Sequence, residues 1–554
     1  MSSSSNFPFP ARGAVSPDRP MPALPRQWTN LGMTFLRRAR ARPMKLFARD
    51  TTGNVATYGE ALQNSAALAR VLMRESPGSA GIGLLIPPSV PAAVANLATA
   101  FSGKWSVNLN YAAGQDAVNS AIRQCRLPVV VTSKKAIDKF GFKLEADVIF
   151  LEDLVGKVNT ADKAVAAMAR YLPMPQLLWP FLPGLGASLD SMATVLFSSG
   201  STGEPKGIML SHRNLLSNAW QIKHHAGLNA DDAVVGYLPF GHSFGLGITL
   251  WTVAILQLSA HYHHNPLDPR TIGEMMHEHK ASLMAGTPTL MRSFLKRCTK
   301  EQFQHVRWLL LGSEKMKPEL QRDLLDKLGV LGLEGYGCTE LSPFVAANVP
   351  QDVLAPDGQT VIPGYELGTV GQPAVGTAIA IVDINTGKLL PRGKEHEGLI
   401  FVAGPQVMMG YFGKPELSSQ VLRNGFYCTG DIGSVDHNGR LRITDRLSRF
   451  AKVGGEMVPL ANVEASIRQV AGCHEMAVAL TAIPDQERGE RLFVVHTADL
   501  NATPSEITTR LKPLLPALWM PKTGDFVKVD ALPVGPTGKL DLKAVKQIAI
   551  DASK

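Results

Sequence analysis

The stretch TVLFSSGSTGEPKGIMLSH, residues 194–212, decides how the rest of the chain is read. An apolar run suited to a buried strand passes into six consecutive small residues, Ser198, Ser199, Gly200, Ser201, Thr202 and Gly203, and then into Glu-Pro-Lys-Gly. Glycines let backbone N–H groups converge on one point, and hydroxyls add further donors, so such a loop suits the oxyanions of a polyphosphate. Lys206 adds a point charge. The spacing excludes the P-loop pattern G-x-x-x-x-G-K-[ST], because Lys206 follows Gly203 by three and precedes Gly207.

Working outward, the flanking sequence alternates short apolar runs with longer amphipathic segments. GIGLLI (81–86), VNLN (107–110), PVVVT (128–132), VIFLE (148–152) and WLLLG (308–312) read as strands, with a helix around 89–102. This alternation predicts an α/β fold of layered, largely parallel sheets. Past residue 365 the segments GTVGQPAVGTAIAIVD, GLIFVAGPQVM and GRLRITDR are β-rich and broken by Gly and Asp/Asn turns. The last hundred residues return to strand–helix–strand. The expected organisation is a disordered tail over 1–26, a large N-terminal domain over 27–447 with a β-rich subdomain, and a small mobile α+β domain over 448–554. The break falls near Asp445–Arg449.

Composition limits the function classes. The chain has 554 residues, 45% hydrophobic and 19% charged, which excludes bulk disorder and coiled coil. A formal net charge of +9 spread over this length suits anionic ligands such as a nucleotide, an acidic carrier protein or a lipid surface, and does not point to nucleic acid. The five cysteines are scattered without CxxC or Cys/His spacing, which speaks against a disulfide framework or structural zinc and for a reducing, cytoplasmic setting. FGLGITLWTVAILQLSA (244–260) reads as a buried core helix rather than a membrane span. Residues 171–189, free of Asp, Glu, Lys and Arg but interrupted by four prolines, are the candidate for peripheral contact with the inner face of a membrane, against the plainer reading of a surface connection. Arg37, Arg38, Arg40, Arg42 and Lys45 are expected on a solvated helix face.

SSGSTGEPKG (198–207) resembles the phosphate loop of the adenylate-forming superfamily, which includes acyl-CoA and acyl-ACP synthetases, peptide-synthetase adenylation domains and beetle luciferase. The resemblance runs from about Phe35 to Lys539, with motifs in order: YLPFGHSFG (237–245), GYGCTE (335–340), YCTGD (427–431), DRLSRFAKVGGEMV (445–458) and PTGKLD (536–541). GSEKMKPEL (312–320) and AKVGGEMVPL (451–460) are most similar to the adenylating half of acyl-ACP synthetase/lysophospholipid acyltransferases. The resemblance implies ATP and Mg²⁺ as cofactors, a fatty acid substrate, and CoA or the phosphopantetheine of acyl carrier protein as acceptor.

The chemistry makes sense of these residue types. A carboxylate is a poor acyl donor until attack on the α-phosphate of ATP turns it into an acyl-adenylate, from which AMP leaves readily. Catalysis of that step is positioning and charge neutralisation. The resemblance gives Lys539 the bridge between carboxylate and α-phosphate, Thr339 an α-phosphate contact and Glu340 the metal. It places Gly312, Ser313, Glu314 and Tyr336 at the adenine, with Asp431 and Arg446 at the ribose. Ser448 falls at the hinge, where relatives often carry Asp or Lys. Gly454 and Gly455 would line a pantetheine channel after domain rotation, with Lys452 as helper in thioester formation or simply an exposed lysine.

His242 either gates the carboxylate pocket or is a packed histidine in a polar turn. Phe244, Gly245 and Gly247, with Gly335 and Gly337, are expected to leave an apolar slot for an acyl chain. No acid near 238–250 offers an amino-group anchor, which favours a fatty acid over an amino acid. An aryl or hydroxy acid substrate and a non-catalytic adenylate-binding protein remain the alternatives. The H-x-x-x-x-D match His263–Asp268 reads as chance.

Overall fold

The structure, a computed structural model, describes residues 8–198, 205–453, 456–474, 477–485, 488–497, 500–534 and 540–553. Two large sheets organise the chain up to about residue 373. In one, among the described residues, seven strands run in the order Gly410–Tyr411, Lys206–Ser211, Met192–Ser198, Trp105–Asn108, Gly81–Leu85, Val129–Thr132 and Asp147–Phe150. Met192–Ser198 through Asp147–Phe150 are all parallel, and Lys206–Ser211 pairs antiparallel with Met192–Ser198 on one side and with the short outer strand Gly410–Tyr411 on the other. The apolar runs read from sequence account for these strands. Ile82, Leu84 and Leu85 are fully buried, at ~2 kcal/mol each from removing apolar surface from water. Helix Val90–Phe101 follows, started by Ser89, whose hydroxyl accepts from the Ala92 N–H, with Pro91 in the first turn.

The second sheet has nine strands among the described residues and contains Trp308–Leu311, Gly332–Gly337 and Phe344–Ala347 side by side. The stretch after His242 is helical and wholly buried, but its first part, Gly245–Thr252, is π-helical before Val253–Leu256 continues as an α-helix. The hydroxyls of Thr249 and Thr252 bond back to the carbonyls of Gly245 (2.7 Å) and Gly247 (2.9 Å), supporting the widened turn. No helix among the described residues is long and apolar enough to cross a membrane.

A five-stranded antiparallel sheet built on Ala378–Val382, Gly398–Ala403, Phe426–Val435 and Leu441–Arg446 forms the β-rich part. Beyond it the chain passes through a tight turn, Leu447–Arg449, into a small α+β unit with hydrophobic clusters of its own around Val463, Leu480 and Val494, and around Phe493 and Val545. The fold is therefore α/β with a large N-terminal and a small C-terminal part. Just past the turn the Arg449 guanidinium pairs with the buried carboxylate of Glu464 on helix Leu460–Ala471.

Two expectations are corrected. Residues 8–26 are not a disordered tail. The Phe9 ring packs edge-on against Phe401 with centroids 5.0 Å apart, Arg19 donates to the Pro373 carbonyl (2.5 Å), and the Trp220 indole N–H donates to the Pro22 carbonyl (3.1 Å). Residues 1–7 lie outside the described part. The basic run is not simply solvated either. Arg38 donates to the Ile255 carbonyl (3.0 Å), Arg40 to that of Ala169 (2.7 Å) and Lys45 to that of Ala230 (2.5 Å), each closing a backbone acceptor.

Candidate active site

Ser198 and Lys206 are directly paired in register, so the hydroxyl- and glycine-rich segment is the connection of a hairpin at the edge of the parallel strands. Ser199, Gly200, Ser201, Thr202 and Gly203 lie outside the described residues. The Lys206 ammonium sits 5.3 Å over the Tyr411 ring, a cation–π contact. Tyr411 belongs to the short strand Gly410–Tyr411 that pairs with Lys206–Ser211, and its hydroxyl donates to Glu340 Oε1 at 3.1 Å. The Cys338 thiol is buried beside the same carboxylate, and burial together with that charge pushes the thiol well up. Tyr411 thus ties the loop's cation to the predicted metal carboxylate. The sequence reading missed it; its only signal was an aromatic after glycine in MGYFG (409–413).

A second cluster forms around Asp431. Asp431 and Arg446 face each other across adjacent antiparallel strands, and Arg446 Nε lies 2.9 Å from Asp431 Oδ1. Tyr336, from the end of a strand in the other sheet, donates its hydroxyl to Asp431 Oδ2 at 2.5 Å. Burial raises the Asp431 carboxyl above its ordinary value, while Arg446 and the Tyr336 hydroxyl pull it back. The Tyr336 hydroxyl is pushed far up by burial and by the facing carboxylate. Thr339 meets Ser243 hydroxyl to hydroxyl at 3.1 Å, which brings GYGCTE against the turn carrying His242. His242 is exposed, and its Nδ1 accepts from the Phe244 N–H at 3.2 Å.

At the glycines assigned to an acyl slot, protein atoms stand where a Cβ would point. A Cβ on Gly245 would lie 2.3 Å from the Pro239 carbonyl oxygen, and one on Gly337 1.9 Å from that of Pro343. On Gly247 it would meet Pro343 Cδ at 2.8 Å, and on Gly335 Leu310 Cδ1 at 2.8 Å. On the Cβ side the space is filled by backbone carbonyls at Gly245 and Gly337, and by the side chains of Pro343 and Leu310 at Gly247 and Gly335. Gly312 differs: a Cβ there would have only ordinary contacts, 3.5 Å from the Gly335 oxygen and 3.8 Å from the Phe244 ring. Ser313 takes a left-handed backbone (φ +68°), which turns the chain at this strand end. The Glu314 carboxylate accepts from the Thr289 hydroxyl (2.6 Å) and N–H (3.2 Å) at the start of helix Pro288–Arg297.

Ser448 lies within the turn Leu447–Arg449, and Lys452 within the strand Phe450–Val453. Gly454, Gly455 and Lys539 lie outside the described residues.

With this geometry in view, the comparisons are decisive on family. Residues 35–412, more than half of the chain, match the AMP-binding enzyme family. The chain belongs to that family. A feruloyl-CoA synthase from an Amycolatopsis species is 27% identical over 92% of this chain and 97% of its own length. A long-chain-fatty-acid–CoA ligase from Bacillus subtilis is 31% identical over 63% of this chain and 60% of its own. The crystal structure of ATP-bound MatB from Rhodopseudomonas palustris superimposes with a TM-score of 0.72 at 27% identity, covering 95% of this chain and all of that one.

Proposed function

We propose that this AMP-binding enzyme is an acid–thiol ligase that forms an acyl-adenylate from ATP and passes the acyl group to a phosphopantetheine thiol, that of CoA in the first place. The observation that carries the reading is Asp431, a buried carboxylate held on both oxygens by Tyr336 and Arg446. Such a group accepts two hydrogen bonds from a ribose diol while its charge stays compensated. The Ser198–Gly207 loop and Thr339 then take the phosphates, next to Lys206 and Glu340.

Mg²⁺ characteristically binds one or two carboxylates together with substrate phosphates, and the single buried carboxylate of Glu340 fits that donor set. Held there, the ion would neutralise β- and γ-phosphate charge. The chain's own part is to orient Glu340 through Tyr411 and to keep the ribose fixed through Asp431. Lys539, delivered by the C-terminal domain turning about Ser448, supplies the cation between carboxylate and α-phosphate. The same rotation later opens the channel beside Gly454 and Gly455 for the thiol, with Lys452 at hand. His242, exposed at the mouth of the turn, orients the carboxylate.

The acid has an apolar body. Similarity to long-chain-fatty-acid–CoA ligases supports a fatty acid. The filled spaces beside Gly245 and Gly247 favour a second reading, an aryl acid, in keeping with similarity to a feruloyl-CoA synthase. Pyrophosphate exchange with octanoate, palmitate and a cinnamate-type acid tests both: no exchange with any of them would refute acid activation, and exchange confined to the aryl acid would refute the fatty acid. Offering CoA and acyl carrier protein to the loaded enzyme assigns the thiol, and transfer to acyl carrier protein alone would overturn CoA.

A further inference from the structure

Between the helix Thr160–Tyr171 and the strand that leads to the phosphate loop, the chain displays apolar side chains outward in an orderly way. Tyr171 (71% exposed), Met174, Leu177, Trp179 (46%) and Phe181 all face solvent, while Leu178, Leu182 and Leu185 are fully buried anchors. The turns Pro175–Leu178 and Pro183–Gly186 hold this arrangement. The apolar exposure is therefore built in and does not come from a loose loop.

Cationic groups frame the patch. The Arg170 guanidinium lies 5.4 Å over the Tyr171 ring and 4.0 Å from the sulfur of Met44, itself exposed, and that of Arg70 lies 5.8 Å over the Phe181 ring. Arg42, two residues before Met44, is exposed. Residues 171–189 contain no acid. Of the nearby acids on the flanking helices, Asp162 is paired with Arg74 (2.7 Å), and Glu60, whose charge reaches Arg170, is held in a capping box with Thr57.

We propose that this patch docks the protein on the surface of an anionic lipid bilayer, with Trp179 and its apolar neighbours at the headgroup boundary and the arginines on lipid phosphates. Aromatic and aliphatic side chains ringed by arginine, with acids absent or engaged, match the chemistry of that boundary. A self-association face fits less well, since an isologous contact would bring the arginines of two copies together.

Topology supports the orientation. The patch feeds the starting end of Met192–Ser198, and Ser102–Gly103, which line the hollow beside Trp179, precede the parallel strand Trp105–Asn108. The phosphate loop leaves the other end of Met192–Ser198, roughly 20 Å away along a strand of this length. A docked molecule keeps its nucleotide loop turned from the lipid. This inference goes beyond the ligase reading and does not rest on it, because binding is measured without ATP or acid.

The test is cosedimentation of the full chain with vesicles of phosphatidylcholine alone or with 30% phosphatidylglycerol, a composition of about one-third anionic lipid chosen to give a strong surface potential. Expected is binding to the anionic vesicles that weakens at least tenfold at high salt, with quenching of Trp179 fluorescence by bromolipid that Trp179→Phe abolishes. Met174→Ser/Leu177→Ser should weaken binding about tenfold with unchanged melting temperature, and Arg42→Glu should weaken it severalfold without touching the apolar side chains. Absence of binding to anionic vesicles, equal binding by all variants, or a dimer that dissociates in the double variant would each overturn the proposal.

Discussion

The two carboxylates of the site are held in opposite ways. Asp431 has a full charge partner, Arg446, across the sheet and a phenol, Tyr336, from the second sheet, so both its oxygens are engaged. Glu340 is held by the Tyr411 phenol with the Cys338 thiol buried beside it, and the nearby cation, Lys206, lies over the Tyr411 ring. The first arrangement suits recognition of neutral hydroxyls, since its charge is already compensated. The second leaves a carboxylate whose charge is available to an incoming cation. Both hang on one short segment: Tyr336 and Glu340 are four residues apart, with Gly337 between them.

The sharpest way to break this comparison is to remove the compensated carboxylate. Asp431→Ala strands Arg446 and Tyr336 and removes the diol acceptor, and ATP–pyrophosphate exchange should fall about 100-fold, as for loss of a charged hydrogen-bond partner. Activity within threefold of the parent would show that Asp431 does not hold the nucleotide.

Gly337→Ala tests whether the two halves share a scaffold. A Cβ 1.9 Å from the Pro343 carbonyl oxygen forces the backbone apart at a cost of about 3 kcal/mol. The melting temperature should drop, and exchange should fall together with it. Gly312→Ala, with room beside it, should leave the melting temperature within about a degree, since no overpacking is created. Equal stability losses in the two variants would contradict the packing argument.

The charge compensation itself is tested by pH. Burial raises the Asp431 carboxyl and Arg446 opposes that rise. Arg446→Met therefore raises it further, so a larger share is protonated in mild acid, and the acidic limb of the exchange profile should move to higher pH. Movement to lower pH would mean that Arg446 acts elsewhere. The smallest effect belongs to Tyr411→Phe, which keeps the ring under Lys206 and loses one hydrogen bond to Glu340. Exchange should fall three- to tenfold, about 1 kcal/mol, with a matching rise in the Mn²⁺ concentration needed to bind nucleotide, followed by electron paramagnetic resonance. Unchanged metal dependence would separate Tyr411 from Glu340.

What could be read from the sequence follows physical lines. The strands of the parallel sheets were visible because runs such as GIGLLI are buried on both faces and carry their signal locally. Tyr336, Asp431 and Arg446 were visible one motif at a time, though their contact depends on two sheets meeting. The glycines at 245, 247, 335 and 337 are hard to read because a missing side chain looks the same in sequence whether ligand or protein fills the gap. The contact of Glu314 with Thr289 could not be read locally because the two lie 25 residues apart, and Tyr411 was passed over because its partners come from two other segments. The N-terminal residues carried turn-forming and polar signals that described their composition but not the surface waiting for them.

That N-terminal strand of contacts has a practical side. Residues 8–22 touch Phe401, Arg392 and Asn424 in the β-rich part, and Trp220 and His225 on the helix His212–Ala226 beside the nucleotide loop. Residues 8–22 work as a tie-bar between the β-rich part that carries Asp431 and the helix that follows strand Lys206–Ser211. Trimming them to simplify expression would loosen the spacing of those two parts while leaving every motif residue in place, and such a truncated enzyme would fail for reasons that no inspection of its motifs could reveal.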